Sequence, residues 1–272
     1  MRILSIGNSF SVDAQTYARE IALAGGAEME LGNLYIGGCS LERHTQNVKS
    51  GLPAYDYYVN NEWMGLCAIQ TALKDMDWDY VTVQQASHFS GMEETYEPFL
   101  TQLVAYVRET VPRAQIVVHE TWAYEFDSKH SAFPNYHCDR RYMHDCLRAA
   151  YEKAAERVGA RLLPVGEAVR IARENAAFDP ERGGSPLTRD GFHLSLTEGR
   201  FLAGAVWYEF FTGRDARENP FVPRKMEYLG RDAQTGAAVR RPVAGLDPDA
   251  ERMSLLRAIA PEAVCAERRA RV

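Results

Sequence analysis

An α/β fold with a parallel sheet and helices on both faces is the architecture that this 272-residue sequence predicts. Three observations lead there. Short apolar runs alternate with longer amphipathic stretches through most of the chain, the pattern of repeated βα units. The apolar runs have the length of buried strands and near-continuous hydrophobicity, as strands covered on both faces do. The first four runs end in Gly-Asn-Ser, Gly-Gly-Cys-Ser, Gln-Gln-Ala-Ser-His and His-Glu-Thr-Trp. Small, polar and aromatic residues thus collect beyond the carboxyl ends of the strands, where such sheets hold their ligands.

The elements follow in order. Ile3-Leu4-Ser5-Ile6, ended by Gly7-Asn8-Ser9, reads as a buried first strand. Residues 12–24 carry Val12, Tyr17, Ile21 and Leu23 among alanines and charges, which predicts a helix closed by Gly25-Gly26. Residues 29–36 read as a second strand ending at Gly37-Gly38. Residues 81–83, 116–118 and 161–163 supply a third, fourth and fifth. Helices are expected over 63–75, 96–110, 138–158, 165–176 and 196–211. The sum is a three-layer α/β/α sandwich with a five-stranded parallel sheet. Residues 213–245 change character: Pro220, Pro223, Gly230, Gly236, Pro242 and Gly245 punctuate a polar stretch. Asp247-Pro248-Asp249 then reads as a helix start before Leu255, Leu256 and Ile259. Residues 1–212 are therefore expected to form the main domain, and 213–272 an extension packed on it.

Composition narrows the function classes. Hydrophobic residues make up 46% and charged residues 25%, an ordinary globular balance that argues against disorder. A net charge of −6 without a basic stripe argues against a nucleic-acid partner. Cys39, Cys67, Cys138, Cys146 and Cys265 are odd in number and contain no CxxC, so reduced thiols are expected. The opening apolar run is too short, and broken by Gly7 and Asn8, to serve as a signal peptide or a membrane span. A cytoplasmic location without membrane contact is the expectation.

Ser9 stands where the first strand hands over to a helix. There a serine exposes its hydroxyl at the sheet edge, and the free N–H groups of the helix start can face an oxyanion. A serine in this place also serves as a helix cap, and as a nucleophile it needs a base. Asp190-Gly191-Phe192-His193 supplies one. His193 can take and return the proton, while Asp190, three residues earlier, binds the other ring nitrogen and fixes the tautomer. The same segment also reads as a capped loop, with Ser195 capping the helix from 196.

These blocks resemble those of the SGNH/GDSL hydrolases. Gly-Asn-Ser-Phe near the N-terminus looks like their first block, Gly37-Gly38 like the glycine block, and Asp-x-x-His like the last. The resemblance spans about residues 1–212. The wording Ile-Gly-Asn-Ser-Phe, Val-Gln-Gln-Ala-Ser-His and His-Glu-Thr-Trp-Ala-Tyr is similar to one bacterial subgroup, the DUF4886 proteins. The resemblance implies a flavodoxin-like strand order and an acyl-serine mechanism without cofactor. Ser9, Asp190 and His193 would be catalytic, and the N–H groups of Ser9 and Gly38 would line the oxyanion hole. Its implied substrate is a small acyl ester, acetyl by preference and borne by a sugar. A lipid or thioester hydrolase and a non-catalytic carbohydrate-binding protein are the alternatives.

Two departures from the pattern stand out. The first block usually has Asp where this chain has Asn8. The third block is normally Gly-x-Asn-Asp, whose Asn donates to the oxyanion, but this chain has Gln84-Gln85-Ala86-Ser87-His88. Gln84 or Gln85 is the expected donor by amide chemistry, with Ser87 and His88 as alternatives. Ungapped counting from Asp79 puts His88 at the Asn position. Classical α/β-hydrolases fit poorly, since Gly7-Asn8-Ser9-Phe10-Ser11 lacks the second glycine of their nucleophile motif. His137, Cys138, His144 and Cys146 fall on one predicted helix with spacing unsuited to a metal. His119-Glu120 lacks the second His of HExxH. Trp122 and Tyr124 read as core or rim, with stacking on a sugar as the functional alternative.

Overall fold

Apolar residues fill the central strands because both faces of the sheet are covered. In β1 (Arg2–Gly7), Ile3, Leu4 and Ile6 are wholly buried. A computed structural model describes residues 1–224, 226–231, 238–242 and 248–270, with side chains over 1–224 and 248–267. Helices α1 (Ser9–Gln15) and α2 (Ala18–Ala24) follow β1, then β2 (Glu30–Tyr35) and α3 (Leu41–Ser50). The antiparallel strands β3 (Tyr55–Val59) and β4 (Glu62–Cys67) come next, then α4 (Ile69–Asp75), β5 (Tyr80–Val83) and α5 (Phe99–Thr110). β6 (Gln115–His119), α6 (Arg140–Arg157), β7 (Arg161–Leu163), α7 (Val165–Glu174) and α8 (Glu198–Thr212) complete the βα repeats. A two-stranded ribbon, β8 (Met226–Arg231) and β9 (Ala238–Pro242), precedes α9 (Ala250–Ala270).

The main sheet runs β4-β3-β2-β1-β5-β6-β7. Its parallel part, β2-β1-β5-β6-β7, consists of the five strands that the sequence predicts. β3 and β4 extend it to seven as an antiparallel hairpin on the β2 edge. The expected helix over 63–75 is thus corrected: residues 62–67 are strand, and helix begins only at Ile69. The reason is local. Asn60 and Asn61 both take positive φ, 51° and 66°, which builds the tight turn that matches strand twist.

Three smaller corrections have similar causes. The single helix expected over 12–24 is two, because Tyr17 breaks the run and its hydroxyl donates to the Leu196 carbonyl at 2.8 Å. α3 lies where no helix is expected; the Ser40 hydroxyl caps it, accepting from Arg43 N–H at 3.3 Å, and Gly51 ends it at φ 65°. His137 and Cys138 stand in a positive-φ turn before α6, so they are not on that helix.

α1, α2 and α7 pack against α8, while α3 and α4 pack against α5. α8 is apolar almost all round, with Phe201, Leu202, Val206 and Trp207 at most 1% exposed, as befits a helix covered on several sides. α9 lies on α7 and α8 and buries Met253, Leu256, Ala260 and Val264 in the same core. Arg252 of α9 pairs with Glu198 at 2.6 Å. Asp247, read as part of the helix start, lies outside the described residues; Asp249 accepts from Arg252 N–H at 2.9 Å.

Candidate active site

The first turn of the site is built from β1 into α1. Gly7 ends the strand, and a Cβ there would collide with the Ser11 side chain, so only glycine lets α1 start this close. Asn8 is the N-cap: its Oδ1 accepts from Phe10 N–H at 3.0 Å. Ser9 follows as the first helical residue, half-buried at the carboxyl end of the central strand. Among the described residues its hydroxyl has no hydrogen-bond partner, and neither the Ser9 nor the Gly38 N–H has one. Gly38 reaches its place after β2 at φ 60°, a conformation that favours glycine.

The second turn carries the histidine. Thr188 and Leu194 bridge, and Arg189 N–H donates to the His193 carbonyl at 2.9 Å, closing a tight loop. Inside it, Asp190 Oδ1 accepts from His193 N–H at 2.8 Å and Phe192 N–H at 3.2 Å. Asp190 Oδ2 accepts from His193 Nδ1 at 2.7 Å. Burial works against this carboxylate, but its bonds to the His193 ring and amide outweigh it and hold the carboxyl below its ordinary range. With Nδ1 protonated toward Asp190, Nε2 of a neutral ring is the lone-pair nitrogen. Trp122 steadies the loop: its Nε1 donates to the Phe192 carbonyl at 2.7 Å, and its ring stacks on Phe10 at 4.3 Å. The following helix starts at Glu198 with Thr197 as its N-cap, two residues later than expected, so Ser195 is not the cap; its hydroxyl instead accepts from Gly199 N–H at 2.9 Å.

Ser9 and His193 line one cavity of about 670 Å³, together with Asn33, Tyr35, Tyr58 and Arg189. Asp13, one helical turn beyond Ser9, ties its walls together. Its buried carboxylate accepts from Leu194 N–H at 2.9 Å and pairs with Arg189 at 2.9 Å and Arg200 at 2.7 Å. One acid on the Ser9 helix thus grips the residue next to His193. Sequence reasoning missed it, although a charge beside buried Phe10 and Ala14 is the signal.

The glutamines are placed differently from the expectation. Neither lines the cavity, nor does Gly38, but unlike the Gly38 N–H both glutamine amides are already bonded elsewhere. Gln84 Nε2 donates to Asn8 Oδ1 at 2.9 Å, and its Oε1 accepts from His119 Nδ1 at 2.8 Å. Burial pushes His119 down to about 3, so it stays neutral in this role. Gln85 Nε2 donates to the carbonyl and hydroxyl of Thr95 at 3.0 and 3.1 Å, and its Oε1 accepts from Leu41 N–H at 3.0 Å. Both amides are buried and committed to partners within the protein, Gln84 to two side chains and Gln85 to Thr95 and the Leu41 backbone. Ser87 bonds Tyr124 at 2.9 Å, and His88 packs on Phe89 at 4.1 Å.

This arrangement accounts for Asn8. Its Nδ2 donates to the Cys39 carbonyl at 3.1 Å, so the side chain needs a donor as well as an acceptor. Asn8→Asp would set a carboxylate oxygen against that carbonyl in a fully buried place. It should destabilise the fold by about 1–3 kcal/mol. Urea denaturation at pH 7 measures this, and an unchanged midpoint would refute the account.

The remaining motifs fall into the scaffold. Trp122 and Tyr124 are fully buried and offer no face to a sugar. His144 Nε2 lies 3.2 Å from Glu167, and among the described residues no three His, Cys, Asp or Glu side chains are grouped to hold a metal. All five cysteines are free, and burial pushes Cys39 up to about 12. A second cavity of about 580 Å³ is lined by Arg140, Arg173 and Asp179; Arg140 pairs with Asp179 at 2.7 Å and with Glu125 at 2.8 Å. Among the described residues no helix is long and apolar enough to cross a membrane.

Comparisons with known proteins fit this geometry. Residues 2–239 match the family model DUF4886, described as a domain of unknown function. A DUF4886 family protein from Bacteroides uniformis ATCC 8492 is 36% identical over 97% of this chain and 95% of that one, with a TM-score of 0.83. A candidate SGNH hydrolase from Slackia heliotrinireducens is 26% identical over 77% of this chain and 97% of that one, TM-score 0.50. A candidate GDSL-like lipase from Parabacteroides merdae ATCC 43184 shares the fold at 17% identity over 78% and 95%, TM-score 0.51. No curated protein matches.

Proposed function

Because the chain belongs to the DUF4886 family and carries the SGNH hydrolase fold, we propose that it is a serine esterase. Ser9 is its nucleophile and the Asp190–His193 pair its base. The observation that carries this reading is the joint placement of Ser9 and an Asp190-bound His193 on one cavity at the carboxyl end of a parallel sheet. The Ser9 hydroxyl attacks the ester carbonyl as His193 Nε2 takes its proton. Asp190 holds the ring in the required tautomer and stabilises the imidazolium that forms. The N–H groups of Ser9 and Gly38 receive the oxyanion. His193 then protonates the departing alkoxide, and water attacks the acyl-serine by the same route in reverse. Gln84 acts at one remove, by holding Asn8. No step asks for a cofactor, and a small acyl group such as acetyl suits the mechanism.

A fluorophosphonate tests the reading directly, since it reacts only with an activated serine. The probe should label the protein, and peptide mapping should place the adduct on Ser9. His193→Ala should slow labelling strongly. A label on another serine would move the nucleophile, and no label at all would reject the esterase.

A further inference from the structure

The β3–β4 hairpin lies outside the five parallel strands and brings aromatic side chains to the mouth of the site. Tyr58 on β3 pairs across the sheet with Asn33 on β2 and with Trp63 on β4. Residues paired this way point to the same face, as do residues two apart on one strand. Asn33, Tyr35, Asp56, Tyr58, Trp63 and Leu66, which pairs with Asp56, therefore form one surface. The rings of Tyr35 and Tyr58 meet edge to face at 6.4 Å. Trp63 Nε1 donates to Asp56 Oδ1 at 2.9 Å, which fixes the indole plane. Asn33, Tyr35 and Tyr58 also line the cavity that holds Ser9 and His193, so the shelf continues outward from the reacting groups. Trp63 is 50% exposed, whereas Trp78, Trp122 and Trp207 are at most 3% exposed.

We propose that this shelf is a glycan subsite: a pyranose stacks on Tyr58 and Trp63 while a neighbouring sugar presents its ester to Ser9. The inference rests on the esterase reading of the same cavity and names its substrate class. An aromatic face is electronegative and attracts the C–H face of a pyranose. The rim of that ring carries hydroxyls, and polar groups stand where those would fall. The Asp56 carboxylate and the two tyrosine hydroxyls are interleaved with the rings, while Asn33 is buried beneath them with its Oδ1 accepting from Ser11 at 2.9 Å. A long acyl chain on the same path would strip water from these groups and return no hydrogen bond, at a cost for each.

The test uses the full chain and O-acetylated tetramers of xylose, glucose and N-acetylglucosamine. In the Ser9→Ala protein, titration with one of these should give a saturable change in tryptophan emission. That change should disappear in Ser9→Ala/Trp63→Phe, because Trp63 is the half-exposed reporter. With the active enzyme, Trp63→Ala should lower kcat/KM for the bound tetramer about ten-fold more than for p-nitrophenyl acetate. Unfolding midpoints of the variants verify that they fold. Absence of any saturable change, or equal losses on both substrates, would overturn the subsite and leave the esterase standing. A wild-type protein inert to p-nitrophenyl acetate and to fluorophosphonate would instead reject the esterase. The emission titration would then still decide whether the shelf binds glycan.

Discussion

Ser9→Ala is expected to cut turnover of p-nitrophenyl acetate by about 10⁴–10⁶-fold, and His193→Ala by nearly as much. The size of the loss follows from how the two side chains depend on each other. A serine hydroxyl at neutral pH is a poor nucleophile until a base removes its proton. On the proposed mechanism the base is Nε2 of a ring whose Nδ1 is tied to Asp190 at 2.7 Å. Removing either member removes the function of the other, so the double variant should be little worse than the poorer single one. Asp190→Asn should be severe as well, because an amide facing Nδ1 selects the wrong tautomer. What survives in all of these would come from the N–H groups of Ser9 and Gly38, which no side-chain substitution touches. Steady-state rates on folded protein decide the matter. Multiplicative losses in the double variant, or a Ser9→Ala protein that keeps its rate, would mean that the pair does not act as a unit.

The parallel core and the turn that holds Ser9 were legible for a shared reason, whereas Asp190 and His193 follow no strand and are picked out by their Asp-x-x-His spacing alone. Buried strands write short apolar runs, and their carboxyl ends write the residues that follow. Ile3 to Ile6 announced β1, and the break at Gly7-Asn8-Ser9 announced the turn beyond it. The hairpin escapes a reading that places a helix over 63–75, because Trp63, Met64 and Leu66 are apolar residues that suit a short strand as well as a helix, while Asn60-Asn61 holds the turn signal. Tyr55-Asp56-Tyr57-Tyr58-Val59 ahead of it also has the composition of a strand. The glutamines failed for a different reason. Amide chemistry identifies a donor but not its partner, and Gln84 meets Asn8 across two strand ends that lie 76 residues apart in the chain. Such pairings are properties of the packed sheet. The need for Asn rather than Asp at position 8 became intelligible only with the Cys39 carbonyl beside it.

Asp13→Ala should damage both stability and rate, costing about 2–4 kcal/mol because its carboxylate is buried while its cationic partners are partly exposed. Its carboxylate is 1% exposed and answers three donors at once: Arg189, Arg200 and the Leu194 N–H. Removing this carboxylate leaves a buried N–H without its acceptor and takes the shared anion from two guanidinium groups whose side chains are 33% and 20% exposed. The same carboxylate sets the distance between the Ser9 helix and the His193 loop. A shift of about 1 Å between reacting groups costs on the order of 10²-fold in rate. Well below the unfolding midpoint, kcat on p-nitrophenyl acetate should therefore fall by about that factor, with KM much less affected. Fluorophosphonate labelling of the intact Ser9 should slow in parallel, a readout that lost stability alone would not move. Asp13→Asn should recover part of the rate, since an amide oxygen can still accept from Leu194 N–H while the charge is gone. Urea denaturation, the kinetic constants and the labelling rate together test this role. A variant within 1 kcal/mol of wild type, or one that is unstable but labels Ser9 at full speed while folded, would show that Asp13 does not position the pair.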